Sequence, residues 1–343
     1  MTARVHRSFQ ANSAAAIFAL AAMLLAGRVL PVRAQGGPTS DKSEIQVLHV
    51  QGRVYMLVGA GSNITVQVGD DALVVVDTGV AQKSDAVLGA IRSISQKPIL
   101  YIINTSVDDD HTGGNRNISP AGHFVSGLPG EDEGASIVAH LNVLDRMSAT
   151  NGKETAARQE LWPTDTYDND KWALFNDEAV ILEHPHAAHT DGDSIVFFRR
   201  SDVVSAGDIF TPERYPVIDL QKGGGINGEI DALNQLLDIM VPKLDEEGGT
   251  YVIPGHGFLC DRAAVSNYRD MVTIVRDRIL DQVKKGKTLE QVEATKPTMD
   301  YDGIYGSDTG PWTTQMFVEA VYRDLSKPKN PQGQTAAGAG VKK

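Results

Sequence analysis

The segment INTSVDDDHTGGN, residues 103–115, places three consecutive aspartates and a histidine in a glycine-bearing loop after the apolar run KPILYII. Three later stretches share the form of a hydrophobic run ending in a ligand-type side chain: His189 in AAHTDGD, Asp208 in VVSAGD and His256 in IPGHG. Imidazole combined with carboxylate is a donor set for zinc, and a carboxylate-rich version of it suits iron or manganese. Glycines beside these residues let the chain turn tightly, so that a side chain at a strand end can point into a shared cleft. A single histidine of this kind is more often a packing residue than a ligand; the ordered set of four stretches is what points to a metal centre. Adjacent acids such as Asp108, Asp109 and Asp110 repel one another unless a cation sits among them. Without the neighbouring histidine and glycines, an exposed acidic turn would be the plainer reading.

The elements that must carry these residues are legible as periodicity. VYMLVG, NITVQVG and ALVVVDTG are short β-branched runs separated by turn residues, and read as strands. Residues 82–95, with Ala86, Val87, Leu88, Ile91 and Ile94, have helical spacing, as do ASIVAHLNVLDRM and GEIDALNQLLDIM. Residues 148–171 lack periodicity and read as a long surface loop, either a lid or a plain insertion, in which Trp162 and Tyr167 could line a pocket or simply pack. Strands then helices, twice over, predict two sheets face to face with helices outside.

With these motifs in place, the sequence resembles the metallo-β-lactamase superfamily over about residues 45–262. The family pattern is His-x-His-x-Asp-His-x-Gly-Gly, a single histidine, a bridging aspartate after a strand, and a last histidine in a glycine-flanked turn; Asp77 in VVVDTG matches its early strand-turn. The resemblance implies an α+β fold, the four-layer αβ/βα sandwich, with metal held at one edge. It implies a complete second metal site of Asp110, His111, Asp208 and His256. Of the first site only His189 matches, because Ser106 and Asp108 stand where the family has histidines.

Three readings of this departure stay open. Asp108 could coordinate as a carboxylate replacing imidazole, as in the flavodiiron branch, with Ser106 at most holding a water. The first site could be empty, leaving one ion able to activate water, with Asp108 as proton acceptor. Or the site could be vestigial. His184 and His186 could supply replacement ligands or be ordinary strand-end histidines. The glycine-rich KGGGING, residues 222–228, lacks the Lys-Ser/Thr of a phosphate-binding loop and is expected to rim the site. Cys260 is expected to be a small buried side chain.

Residues 1–34 combine a basic start, the apolar AAAIFALAAMLLAG and a small-x-small VRA, the pattern of a secretory signal peptide. Residues 35–44 read as a linker, 263–326 as a helical extension, and 327–343 as a disordered tail. Of 32 basic side chains, Arg4, Arg7, Arg28 and Arg33 would leave with the signal, so 28 would face 44 acidic ones. So acidic a chain argues against nucleic acid or an anionic membrane as partner. Its lone cysteine excludes an intramolecular disulfide. No integral membrane segment is expected after cleavage, and the oligomeric state is not readable.

The expectation is a periplasmic or secreted hydrolase binding one or two Zn2+ ions, with Fe or Mn as alternatives. A metal-bound hydroxide would attack the carbonyl of a small-molecule ester, thioester, lactone or β-lactam, with Asp110 and Asp108 as catalytic residues. The alternatives are a non-hydrolytic periplasmic metal-binding or relay protein and a non-haem iron oxidoreductase.

Overall fold

The computed structural model describes residues 44–125, 132–149, 159–244 and 248–327. The expected signal peptide, all but the last residue of the expected linker, and residues 328–343 of the expected tail lie outside them. Strands β1 (Gln46–Gln51), β2 (Val54–Ala60), β3 (Ser62–Val68), β4 (Leu73–Val76) and β5 (Ile99–Ile103) begin the first sheet. A short pair, β6 (Phe124–Val125) and β7 (Asp132–Glu133), follows; β8 (Ser136–His140) and β9 (Asp165–Tyr167) then complete the sheet in the order β1-β2-β3-β4-β5-β8-β9. The second sheet runs in chain order through β10 (Lys171–Phe175), β11 (Glu178–Glu183), β12 (Ile195–Phe198), β13 (Val203–Gly207), β14 (Tyr251–Pro254) and β15 (Cys260–Asp261).

The helices are α1 (Ser84–Ile94), α2 (Asp109–Thr112), α3 (Asn115–Ile118), α4 (Leu141–Ser148), α5 (Ile226–Ile239), α6 (Arg262–Lys284), α7 (Leu289–Ala294), α8 (Asp302–Tyr305) and α9 (Thr314–Leu325). None of the described helices is long and apolar enough to cross a membrane.

Because successive strand side chains point to opposite faces, the apolar runs bury both. In β4, Val74 and Val76 enter a core shared with Val180, Leu182, Val196 and Phe198 of the second sheet. Leu73 and Val75 instead meet Val87 and Ile91 of α1. In β12, Val196 and Phe198 face the first sheet, while Ile195 packs with α5, α6 and α9. The result is helix, sheet, sheet, helix: the αβ/βα sandwich expected from the motifs. Residues Val265, Tyr268, Met271, Val272, Val275 and Ile279 form the buried stripe of α6 and join the same core as Leu233 and Leu236 of α5.

Two expectations need correction: Ser136–His140, read as the first half of a helix, is strand β8 and only Leu141–Ser148 is helical, and the described part of the loop predicted at 148–171 is not structureless. Asp165–Tyr167 forms β9, parallel to β8, and Tyr167 is buried between the sheets, its hydroxyl donating to Ser194 Oγ at 2.7 Å. A three-residue edge strand is held by main-chain hydrogen bonds to a neighbour, which leave no periodicity in its own sequence.

Parallel pairing places the site. β4, β5 and β8 run parallel in the first sheet, as do β13 and β14 in the second, so the loops leaving their C-terminal ends can meet. Close approach demands glycine at Gly207, where φ is +53° and a Cβ would lie 2.7 Å from Thr105 Oγ1.

Candidate metal centre

The loop after β5 carries Asp108, Asp110 and His111; the loop after β11 carries His189; Asp208 follows β13, and His256 follows β14. All six sequence-predicted ligands converge in two groups able to hold an ion, Asp110–His111–His256 and Asp108–His189–Asp208. Asp208 lies between them. Its Oδ1 is 3.5 Å from His111 Nε2 and 3.4 Å from His256 Nε2, and its Oδ2 is 3.8 Å from His189 Nε2. Asp110 Oδ2 is 3.1 Å from His256 Nε2.

The second site is prepared for a cation. His111 is fully buried and donates its Nδ1–H to Asp77 Oδ2 at 2.8 Å, which aims Nε2 into the cleft. Asp77 is in turn held by the Thr105 N–H at 2.8 Å and the Thr105 hydroxyl at 2.6 Å. It adopts φ +62°, a strained value for an aspartate that only its partners justify. Among the described residues, His111 Nε2 and Asp208 Oδ1 are buried with no hydrogen-bond partner. Two orphaned ligand atoms facing each other, with Asp110 and His256 alongside, fit a metal ion.

The electrostatics agree. Burial would raise the Asp208 carboxyl, but His111, His189 and His256 hold it far below the usual carboxylate range. Burial would lower His111, yet Asp77 and Asp208 outweigh it and raise the imidazole. Metal binding would displace those protons, as is general for imidazole ligands.

The first group is built differently. His189 donates Nδ1–H to the Val217 carbonyl at 2.7 Å and sets Nε2 2.9 Å from Asp108 Oδ2. Asp108 Oδ1 accepts from Lys222 Nζ at 2.6 Å. The Ser106 hydroxyl, fully buried, accepts the Asp108 N–H at 3.1 Å and serves the turn. Burial would raise Asp108, but hydrogen bonds and charge from His189 and Lys222 hold its carboxyl far below its ordinary value. Both oxygens of Asp108, the residue expected to accept a proton, are thus engaged by these two partners.

His184 and His186 do not join either group. The His184 ring stacks on His140 at 3.5 Å between centroids, and its Nδ1–H donates to the Asp193 carbonyl at 2.8 Å. Asp193 accepts the Thr190 N–H and hydroxyl at 2.7 and 2.6 Å and thereby fixes the His189 loop. Cys260 is buried, and burial pushes its thiol up to about 12.

Sequence reasoning missed the role of Lys222. Its signal was available: the single basic residue opening a glycine run. It also missed Glu229, buried on α5 near His189 and Asp208, which no motif marks. A cleft of about 590 Å3 opens over the site between the 107–110 loop, Arg146 and Lys222; neither Trp162 nor Tyr167 lines it.

Replacing Asp77 with asparagine is expected to lower metal affinity about 10- to 100-fold. Asparagine tolerates the positive φ, so the backbone should hold, while one of the two hydrogen-bonded carboxylate oxygens becomes a donor facing other donors. Zinc titration against a competing chelator measures it; unchanged affinity would mean that His111 needs no such anchor.

Fold and site together describe an αβ/βα sandwich presenting histidine and aspartate ligands at one edge. The family model for the metallo-β-lactamase superfamily matches residues 57–256, more than half of the chain, and the protein belongs to that superfamily. The inverting sec-alkylsulfatase Pisa1 from a Pseudomonas species superposes with a TM-score of 0.61 at 15% identity, over 81% of this chain and 50% of the sulfatase. The chain thus spans about half that protein's length. A metallo-β-lactamase from Pontibacter korlensis aligns over 67% of this chain and 99% of its own, with a TM-score of 0.50 and 14% identity. The DIM-1 metallo-β-lactamase gives 0.50 at 15% identity over 67% of this chain and 97% of its own. No curated protein sequence matches. At such identities the likeness shows the fold alone.

Proposed function

We propose that this protein is an exported metal-dependent hydrolase of a small ester-type substrate. The observation that carries the reading is the pair of buried ligand atoms His111 Nε2 and Asp208 Oδ1, 3.5 Å apart and without a hydrogen-bond partner, with Asp110 and His256 alongside. These four residues would hold the ion, zinc being the expected metal. A divalent ion there supplies a Lewis acid and lowers the pKa of water toward neutrality. Asp110, half-buried like His256, would orient the water and accept its proton; His111 is kept in one tautomer by Asp77. The cleft carries both signs of charge: Arg146, paired with Asp191, and Lys222, paired with Asp108 and Asp219, line it together with Asp109 and Asp110.

Carbonyl substrates remain the first class to try: esters, thioesters, lactones and β-lactams. Fold does not fix the substrate, so alkyl sulfates belong in the same panel. The test is elemental analysis of protein purified without chelators, followed by turnover of that panel with and without added zinc. Bound zinc with hydrolysis that a chelator abolishes is the expected result. No bound metal and no turnover would overturn the reading. Iron without hydrolysis would favour an oxidoreductase, and metal without any turnover a metal-binding or relay role.

A further inference from the structure

We infer that the Lys222 ammonium takes the place of the first metal ion, so that the centre holds one metal and one fixed lysine cation instead of two metals. The inference rests on the metal-hydrolase reading for its second site, and on the unlike state of the two ligand groups for the rest. At the second site two ligand atoms, 3.5 Å apart, are buried with no hydrogen-bond partner. At the first, both oxygens of Asp108 are engaged: Oδ1 accepts from Lys222 Nζ at 2.6 Å, and Oδ2 lies 2.9 Å from His189 Nε2. A positive charge already touches the carboxylate that would coordinate the ion, on the oxygen beside the one facing His189. A dication entering there would face that charge at contact distance.

The lysine is held in place. Its ammonium is shared with Asp219 Oδ2 at 2.9 Å, and Asp219 Oδ1 is itself pinned by the N–H groups of Gln221 and Lys222 at 2.9 and 3.0 Å. The glycines after Lys222 explain how the loop reaches the site. A Cβ on Gly224 would lie 2.1 Å from the His189 carbonyl, so only glycine lets the two loops press together. The glycine-rich stretch therefore delivers a side chain, and the same segment supplies the Val217 carbonyl that orients His189. The two histidines absent from the motif fit this picture. Ser106 serves the turn, and Asp108 is an anion matched to a lysine. Lys222 also lines the cleft beside Asp110, its ammonium shared between Asp108 and Asp219.

The experiment is metal stoichiometry of the full mature protein, loaded with excess zinc and dialysed, for wild type, Lys222→Met and Lys222→Arg. Wild type and Lys222→Arg are expected to retain one zinc per chain. Lys222→Met is expected to retain two, the second on Asp108, His189 and Asp208. Two zinc ions in wild type would overturn the inference and leave the hydrolase reading intact. One zinc in Lys222→Met would also overturn it, because the lysine would not be what excludes the ion. No zinc in any of the three would sink the metal-hydrolase reading and this inference with it. Circular dichroism of each variant shows that the fold is kept.

Discussion

Replacing Asp208 with alanine is expected to abolish stable metal binding and to lower kcat/KM by about 10³-fold or more, since a hydrolytic metal is worth several kcal/mol of transition-state stabilisation. Asp208 is the side chain that reaches both ligand groups, and it sits within 3.4–3.8 Å of His256, His111 and His189. Without it, His111 Nε2 loses its nearest facing carboxylate, and the remaining second-site ligands are Asp110 and His256 at the rim. The change also removes the buried anion that balances the imidazoles, and breaking a buried charge pair costs about 3–5 kcal/mol of stability. Asp208→Asn keeps the volume and separates the two effects. It should fold at least as well as the alanine variant and still bind metal poorly, because an amide is a weak donor to zinc. Zinc content and turnover are read together; a fully loaded, active Asp208→Ala protein would sink the assigned metal centre.

The Glu229→Met variant is expected to be more stable than the parent near pH 7, by about 1–3 kcal/mol, the usual cost of a buried polar group left unsatisfied. Glu229 lies on α5, is fully buried, and among the described residues neither carboxylate oxygen has a hydrogen-bond partner. Burial, followed by the charge of Asp193, raises its carboxyl well above the ordinary 4.5. The sign follows from linkage. A carboxyl raised in the folded state favours folding most below 4.5, and that contribution is lost as pH rises toward the folded value. The advantage of methionine, unbranched and at home in a helix, should therefore shrink toward pH 4.5 and grow as pH rises. Urea unfolding of both proteins at several pH values tests this. An equal or smaller stability for Glu229→Met at pH 7 would show that the carboxyl has a partner the packing does not reveal.

Much of the site was legible in the chain. Asp108, Asp110, His111, His189, Asp208 and His256 each follow a strand-like run, and a ligand at a strand end needs only local sequence to be recognised: periodicity before it, small residues around it. The sandwich was legible for a related reason, since runs such as LVVV bury both faces of a strand and imply layers on either side. The short strand Asp165–Tyr167 was not, because its stability comes from pairing with β8 and not from its own pattern.

What the sequence determined by itself was the inventory of donors and the strands that carry them. Only the tertiary structure decided which lone pairs are left without a hydrogen bond and so could serve an ion. His111 Nε2 stays without a hydrogen bond, while Asp108 is taken up by His189 and by Lys222, a residue 114 positions further along the chain. The physical reason is that a residue's type sets what it can donate or accept, whereas its actual partner is whatever the folded backbone brings within about 3 Å.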